Sequence, residues 1–330
     1  MVIVDLVYQR NNTLQAAYAV GTKQNMATQW DTYVDFCNVY QNCRLQADVD
    51  SLSLFIQFIS NRLTSPGTVL NYVSGVKTMH VICGLNIEMF DDYLIKMMIR
   101  GIKVTKCHVP KKASRVTPSM LLKFREVLDL TQPSDCSFWA LFVLAFYLLA
   151  RKSNLVPDSV CKFDVTKQLT RGDIVVMNDS LLVTLKWSKT NQVGRKEVFP
   201  LLRNDDSPLC PVRAYTQMLS WFPGEGNSPV FLTRRFGVVT SITYRQYQEK
   251  IKACVSAIGL DPAEYSSHSF RRGGATYAFQ SGVTAELIKK LGDWRSDAYL
   301  EYIDCPLDDR IVAGRQIRNQ LNRDNLLLRN

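Results

Sequence analysis

SHSFRRGGATYAFQSGVTAELIKKLGDWRSDAYLEYID, residues Ser267 to Asp304, is the stretch around which the rest of the chain is organised. His268 and Arg271 stand three positions apart, which on a helix puts them on one face. Gly273, Gly274 and Ala275 behind them let a neighbouring backbone approach closely. Such a face can hold a phosphate: a guanidinium grips two non-bridging oxygens as a fork, and an imidazole beside it takes or gives a proton at neutral pH. Further on, Ser296 or Asp297 can cap a short helix that carries Tyr299 and Tyr302 on one side. A phenol near a clamped phosphate can attack it. Taken singly, these aromatic residues are as well explained by a packed core; their order is what points to chemistry.

HSFRRGG, then LGDW, then YLEYI resembles the C-terminal motif of the tyrosine recombinase, or phage integrase, superfamily. Trp294, where a second His is commoner, is similar to Cre and to the DIRS and Crypton types of transposon-borne recombinase. Tyr302 lies eight residues after Trp294, a shorter spacing than in many bacterial members, and Tyr299 lies five after it. The resemblance implies that Tyr302 is the nucleophile, with Tyr299 as competitor, and that His268, Arg271 and Trp294 surround the scissile phosphate. LLARKSNL matches the first arginine box of the superfamily and implies Arg151 as the other half of a two-arginine clamp. The family often has an acid three residues after this Arg, where this chain has Asn154, which can still accept a hydrogen bond that positions the Arg. The family also carries a catalytic lysine on a β-hairpin turn. WSKTNQVG puts that role on Lys189, with Lys186 as runner-up.

Length, charge and cysteine usage set bounds on these readings. A chain of 330 residues exceeds the usual single domain. The net charge is +10, yet residues 1–105 hold 8 basic and 8 acidic side chains, so the whole excess lies beyond them. A surplus confined to the half that holds the His-Arg-Tyr set is expected of a surface that neutralises DNA phosphates. The 9 cysteines include no C-x-x-C pair and there are only 3 histidines, so zinc-ligand spacing is absent and reduced thiols are expected. The longest apolar run, Phe138 to Ala150, has 13 residues, short of the ~20 that cross a bilayer. An intracellular protein is expected, nuclear if the host is eukaryotic.

In chain order, a helical pattern runs from Thr13 to Tyr40. Asp50 or Ser51 caps a second helix, Ser65-Pro66 opens a third that Gly84 stops, and Phe90 to Ile102 makes a fourth. This bundle, residues 1–105, resembles the superfamily's core-binding domain, and Lys77, Arg100 and Lys103 are candidate phosphate contacts on it. Residues 106–116 read as a basic linker whose Lys111, Lys112 and Arg115 face DNA. Residues 117–330 make the catalytic domain. Within it, helices are expected from Thr117 to Leu128 and from Pro133 to Ala150, strands over Asp173–Met177, Leu181–Lys186 and Arg195–Leu201, then a helix over Pro211–Phe222. A short strand, Pro229 to Leu232, precedes Arg234 and Arg235 in a loop, and an amphipathic helix, Thr240 to Ile258, brings Arg245, Lys250 and Lys252 near DNA. Arg272 is a further candidate contact. After Tyr302 the tail is mostly helical, with Ile311, Ile317 and Leu321 on a stripe that packs in cis or, as in relatives, on a neighbouring protomer. The fold expected is mainly α with a small antiparallel sheet.

The resemblance implies a site-specific recombinase or integrase that cuts and rejoins double-stranded DNA through a 3′-phosphotyrosyl link, as a dimer to tetramer on DNA. No cofactor or metal is expected, because two guanidiniums neutralise the developing charge and the covalent link retains the phosphodiester energy. A type IB topoisomerase shares this chemistry, and a domesticated transposon protein that binds DNA without cutting it is the remaining alternative.

Overall fold

The computed structural model describes residues 3–40, 45–108, 112–187, 197–294 and 296–303, and in the tail 311, 314–315 and 317–322; the side chains of Gln15, Ala298 and Glu301 are excluded. The chain divides into two compact units, residues 1–111 and 112–330.

The first unit is helical. Its elements are α1 (Ile3–Ala16), α2 (Val20–Tyr40), α3 (Val49–Arg62), α4 (Pro66–Cys83) and α5 (Tyr93–Thr105). The single helix expected from Thr13 to Tyr40 is broken between Ala16 and Val20. α3 starts earlier than Asp50, because Asp48 caps it by accepting the Ser51 N–H while Ser51 Oγ accepts the Asp48 N–H. Gly84 ends α4 in the left-handed conformation, φ 69°, as its position suggests. The fourth helix of the sequence reading splits, a 3₁₀ turn over Glu88–Asp91 preceding α5, whose cap is Asp92. Tyr33, Phe36, Phe55, Ile56, Val76 and Ile95 fill the core between these helices. His80 is buried among them, its Nδ1 on the Val76 carbonyl and its Nε2 accepting the Ala47 N–H. Lys77 is held by Asp91 at 2.7 Å. Lys106, at the start of the stretch read as linker, is tied into this unit through the Ser60 and Leu63 carbonyls.

The second unit is built round α7 (Pro133–Tyr147), which follows α6 (Pro118–Val127). From Cys136 to Phe146 every residue of α7 is buried, as the absence of a polar face requires. A four-residue helix, α8 (Lys152–Leu155), comes next. Then β1 (Ile174–Val176), β2 (Ser180–Leu185) and β3 (Glu197–Leu202) form an antiparallel sheet in the order β1-β2-β3. α9 (Pro211–Trp221) packs on α7. It is followed by a second hairpin, β4 (Leu232–Arg235) and β5 (Val238–Ser241), and by α10 (Tyr244–Ala257), which Thr243 caps. Arg234 and Arg235 therefore sit on a strand and not in a loop, and the helix expected from Thr240 begins only at Tyr244, residues 238–241 being taken up by pairing with β4. α11 (Ser267–Gln280) and α12 (Ala285–Leu291) follow, with a 3₁₀ turn over Asp297–Glu301.

Residues 113–116 are part of this unit. The Ser114 and Val116 N–H groups donate to the Glu264 and Ser269 carbonyls, and a Cβ on Gly273 would overlap the Val116 carbonyl. Gly274 likewise admits the Phe146 carbonyl. The glycine pair thus lets α11 cross both the incoming chain and the end of α7.

Candidate active site

The site forms where α7 stops. Leu149 takes a left-handed φ of 48°, which turns the chain out of the helix and leaves Arg151 extended at the start of α8. A turn of the same hand follows α12, where Asp293 has φ 49°. Non-glycine residues adopt this conformation at a cost, and here each holds an arginine. Arg151 donates from Nη1 to the Asp293 carboxylate at 3.2 Å and from Nη2 to the Asp293 carbonyl at 3.1 Å. Arg271, on α11 and 2% exposed, donates from Nη1 to the Leu149 carbonyl and from Nη2 to the Gly292 carbonyl at 2.6 Å. Two arginines 120 positions apart are joined through backbone that neither belongs to.

Aromatic rings close one side. The Arg271 guanidinium carbon lies 3.8 Å from the centre of the Trp294 ring and 5.6 Å from that of Tyr302, and these two rings are 5.3 Å apart. Trp294 is therefore a cation–π support for the clamp, a use its expected role as a phosphate donor did not include. Gly292 is needed for this stacking, since a Cβ there would enter the indole. The Tyr302 carbonyl accepts from Thr276 Oγ1 at 2.9 Å, which fixes the tyrosine to α11. Tyr299 is 8% exposed and packs with Leu149, Ala275 and Ile288 as core, whereas Tyr302 is partly exposed.

His268, one helical turn before Arg271, is exposed. What covers its ring, and then the positive charges of Arg271, Arg151 and Lys152, hold its pKa below the ordinary imidazole value. Burial also works against the charge on Arg271, and Arg151 adds to the effect, while Tyr302 and Asp293 oppose it. An anion placed between the arginines would relieve the strain on both.

The lysine reading resolves in part. Lys189 lies outside the described residues, as does Lys111. Lys186 points elsewhere: its Nζ is 2.6 Å from Asp173 and 2.5 Å from the Val165 carbonyl. Asn154 does not serve Arg151 as a side-chain acceptor. Its buried amide donates to the Trp187 carbonyl, tying α8 to the segment just after β2.

The candidate DNA contacts differ in their surroundings. Arg272 donates to the Ala113 carbonyl at 3.0 Å and Arg115 is partly buried, so both serve the packing of residues 113–116 on α11. Lys250 is paired with Asp135 at 2.5 Å and Arg245 with Glu249 at 2.8 Å. Lys112, Lys252, Arg234 and Arg235 are exposed. Ile311, Ile317 and Leu321 in the tail are also exposed. Among the described residues no three metal-ligating side chains converge, and no helix is long and apolar enough to cross a membrane. Leu149, Gly292 and Asp293 are the functional positions that sequence reasoning missed. Left-handed turns carry a signal when they fall on glycine; the two here fall on Leu149 and Asp293, while Gly292 between α12 and Asp293 keeps a negative φ.

No family model matches the chain. It is 22% identical over 284 residues, covering 84% of this chain and 79% of the other, to an integrase/recombinase xerD homologue from Selenomonas ruminantium. Solved structures of DNA recombinases and integrases share its fold, and two of them illustrate it. One is the XerH site-specific recombinase bound to difH substrate in a pre-cleavage complex, with TM-score 0.55, 13% identity, and coverage of 90% of this chain and 79% of that one. The other is the Tn1549 transposon integrase in complex with circular intermediate DNA, with TM-score 0.54, 14% identity, and coverage of 82% and 86%.

Proposed function

We propose that this chain, whose fold is that of the tyrosine recombinase and integrase superfamily, is a site-specific DNA recombinase working through a 3′-phosphotyrosyl intermediate. The observation that carries this reading is the convergence of Arg151 and Arg271 on the Gly292–Asp293 turn, with the Tyr302 ring packed at a tilt against Trp294 beside them. The scissile phosphate displaces the Asp293 carboxylate from Arg151 and lies against both guanidiniums, which neutralise charge on its non-bridging oxygens. Tyr302 Oη attacks phosphorus. One P–O bond forms to the tyrosine, the bond to the 5′ oxygen breaks, the phenol proton passes to neutral His268, and Lys189 protonates the leaving 5′ oxygen. The 5′-hydroxyl of another strand reverses the step with the proton transfers inverted. The guanidiniums supply the charge stabilisation that a divalent cation supplies in other phosphoryl transfers, so the step needs neither metal nor nucleotide. The exposed apolar side chains of Ile311, Ile317 and Leu321 favour assembly with further copies on DNA.

A substrate nicked next to the cleavage point, selected from a random duplex pool, tests the reading. The wild type traps a labelled, protease-sensitive adduct, Tyr302→Phe traps none, and Tyr299→Phe traps it normally. An adduct on Tyr302→Phe overturns the assignment of the nucleophile. Relaxation of supercoils by a monomer, without strand exchange between duplexes, favours the topoisomerase alternative.

A further inference from the structure

The β4–β5 hairpin ends in an aromatic residue that its own fold does not need. Arg235 pairs with Val238, so Phe236 and Gly237 alone make the turn, with φ values of 48° and 80°. Positive φ at both positions defines the type I′ hairpin turn, for which Asn-Gly is the favoured pair. A phenylalanine at the first position is held in a conformation that bulky side chains avoid, and it packs against no core: it is 93% exposed. A strained residue kept at an exposed tip points to a use outside the fold.

The chemistry round it selects the partner. Residues 232–241 contain two arginines and no acid. Neither Arg234 nor Arg235 has a carboxylate partner among the described residues, and Arg235 lies over the Phe236 ring at 5.3 Å. Cationic arms on either side of an apolar wedge match duplex DNA, whose phosphates take the guanidiniums while the ring enters at a base step. The hairpin has a firm base. Thr233 Oγ1 bonds to Ser134 Oγ at 2.9 Å and the Arg234 N–H donates to the same oxygen at 3.2 Å, so β4 is pinned to the first turn of α7. The catalytic arginine stands past the other end of α7, whose 15 residues give about 22 Å of axis, or roughly six base-pair steps.

We propose that the Phe236 tip is a DNA wedge, with Arg234 and Arg235 on the flanking phosphates, which distorts the duplex several base pairs from the scissile phosphate. The inference rests on the DNA-acting reading above. Phe236→Asn is the informative variant, because Asn-Gly suits the turn and the fold is kept. The probe is a random-sequence duplex with 2-aminopurine in place of adenine, added to the full chain. Wild type binds and brightens the probe. Phe236→Asn melts no lower than wild type, binds about tenfold more weakly and gives no brightening, while Arg234→Gln and Arg235→Gln each reduce the slope of log K against log salt by about 1. Affinity or brightening equal to wild type in Phe236→Asn overturns the wedge and leaves the recombinase reading standing. A change in the sedimentation of DNA-free protein with unchanged DNA affinity makes the tip a contact between copies and also overturns it. If wild type binds no duplex, both readings fall.

Discussion

Arg151 is gripped by one residue through two kinds of atom: Asp293 offers it a carboxylate oxygen at 3.2 Å and a backbone carbonyl at 3.1 Å. The carboxylate is an anion in the place a phosphate would take, and the carbonyl remains when the phosphate arrives. Asp293→Asn keeps the turn and the carbonyl but removes the competing charge, so duplex affinity is expected to rise. Asp293→Pro, which cannot take a positive φ, is expected to lower single-turnover cleavage about 100-fold through misplacement of Arg151. Quench-flow cleavage with gel-shift affinities checks both, and equal cleavage by Asp293→Pro and wild type refutes the anchoring role.

The two lysine candidates, Lys186 and Lys189, separate by assay. Lys186 is ion-paired to Asp173 with both side chains largely covered, so Lys186→Met is expected to lower the melting temperature, with a cost of about 1–3 kcal/mol. Lys189→Ala leaves stability unchanged and stops cleavage, and a 5′-bridging sulfur in the substrate restores it, since a thiolate leaves without an acid. Failure of that rescue moves the proton donor elsewhere.

The pH dependence of cleavage follows from His268. Its pKa is lowered, first by partial desolvation of the ring where protein atoms crowd it and then by Arg271, Arg151 and Lys152. The neutral ring, the form that the proposed mechanism needs to accept the phenol proton, therefore persists below the ordinary imidazole value of about 6.5. The acid limb of kcat/KM is expected below that value, and Lys152→Met is expected to shift it upward by removing one cation. A limb above about 6.5 in the wild type rules out His268 as the base.

His80 links pH to stability in the first unit. Burial lowers its pKa, so it stays neutral in the folded chain at a pH where the unfolded chain has taken up a proton. The unfolded state then binds more protons, and stability falls as pH drops from about 6.5 toward the depressed native value, by at most about 1.4 kcal/mol per pH unit. Urea melts of wild type and His80→Gln between neutral and acid pH should show the smaller slope in the variant.

Gly273→Ala places a methyl against the Val116 carbonyl. Backbone cannot rotate away as a side chain does, so a loss of about 1–3 kcal/mol is expected, with reduced cleavage because α11 carries both His268 and Arg271. Gly101, with nothing within 4 Å of a Cβ, is the control in which alanine is tolerated.

The sequence made the candidate set of Arg151, Arg271, Trp294 and Tyr302 legible because the proposed chemistry demands particular side chains at fixed spacings. HSFRRGG sits on one helix, and the apolar run from Phe138 to Ala150 is the buried α7. What it hid lies in the backbone. Leu149 looks like one more apolar residue of the run, yet its left-handed φ ends the helix and presents a carbonyl to Arg271. The Arg234-Arg235 pair reads as loop in the sequence yet pairs with β5, and Phe-Gly, unlike Asn-Gly, is not a usual hairpin signal. Asn154 was matched to its arginine by position, whereas its amide reaches across to Trp187.

Because both guanidiniums hang on main-chain oxygens, the cradle is specified by torsion angles as much as by letters. A homologue could retain every motif residue, score as intact in any pattern search and still be inert if the peptide units at Leu149 and Asp293 were flipped. Conversely, activity lost through a distant insertion would be repaired by restoring those two bends, with no motif residue altered.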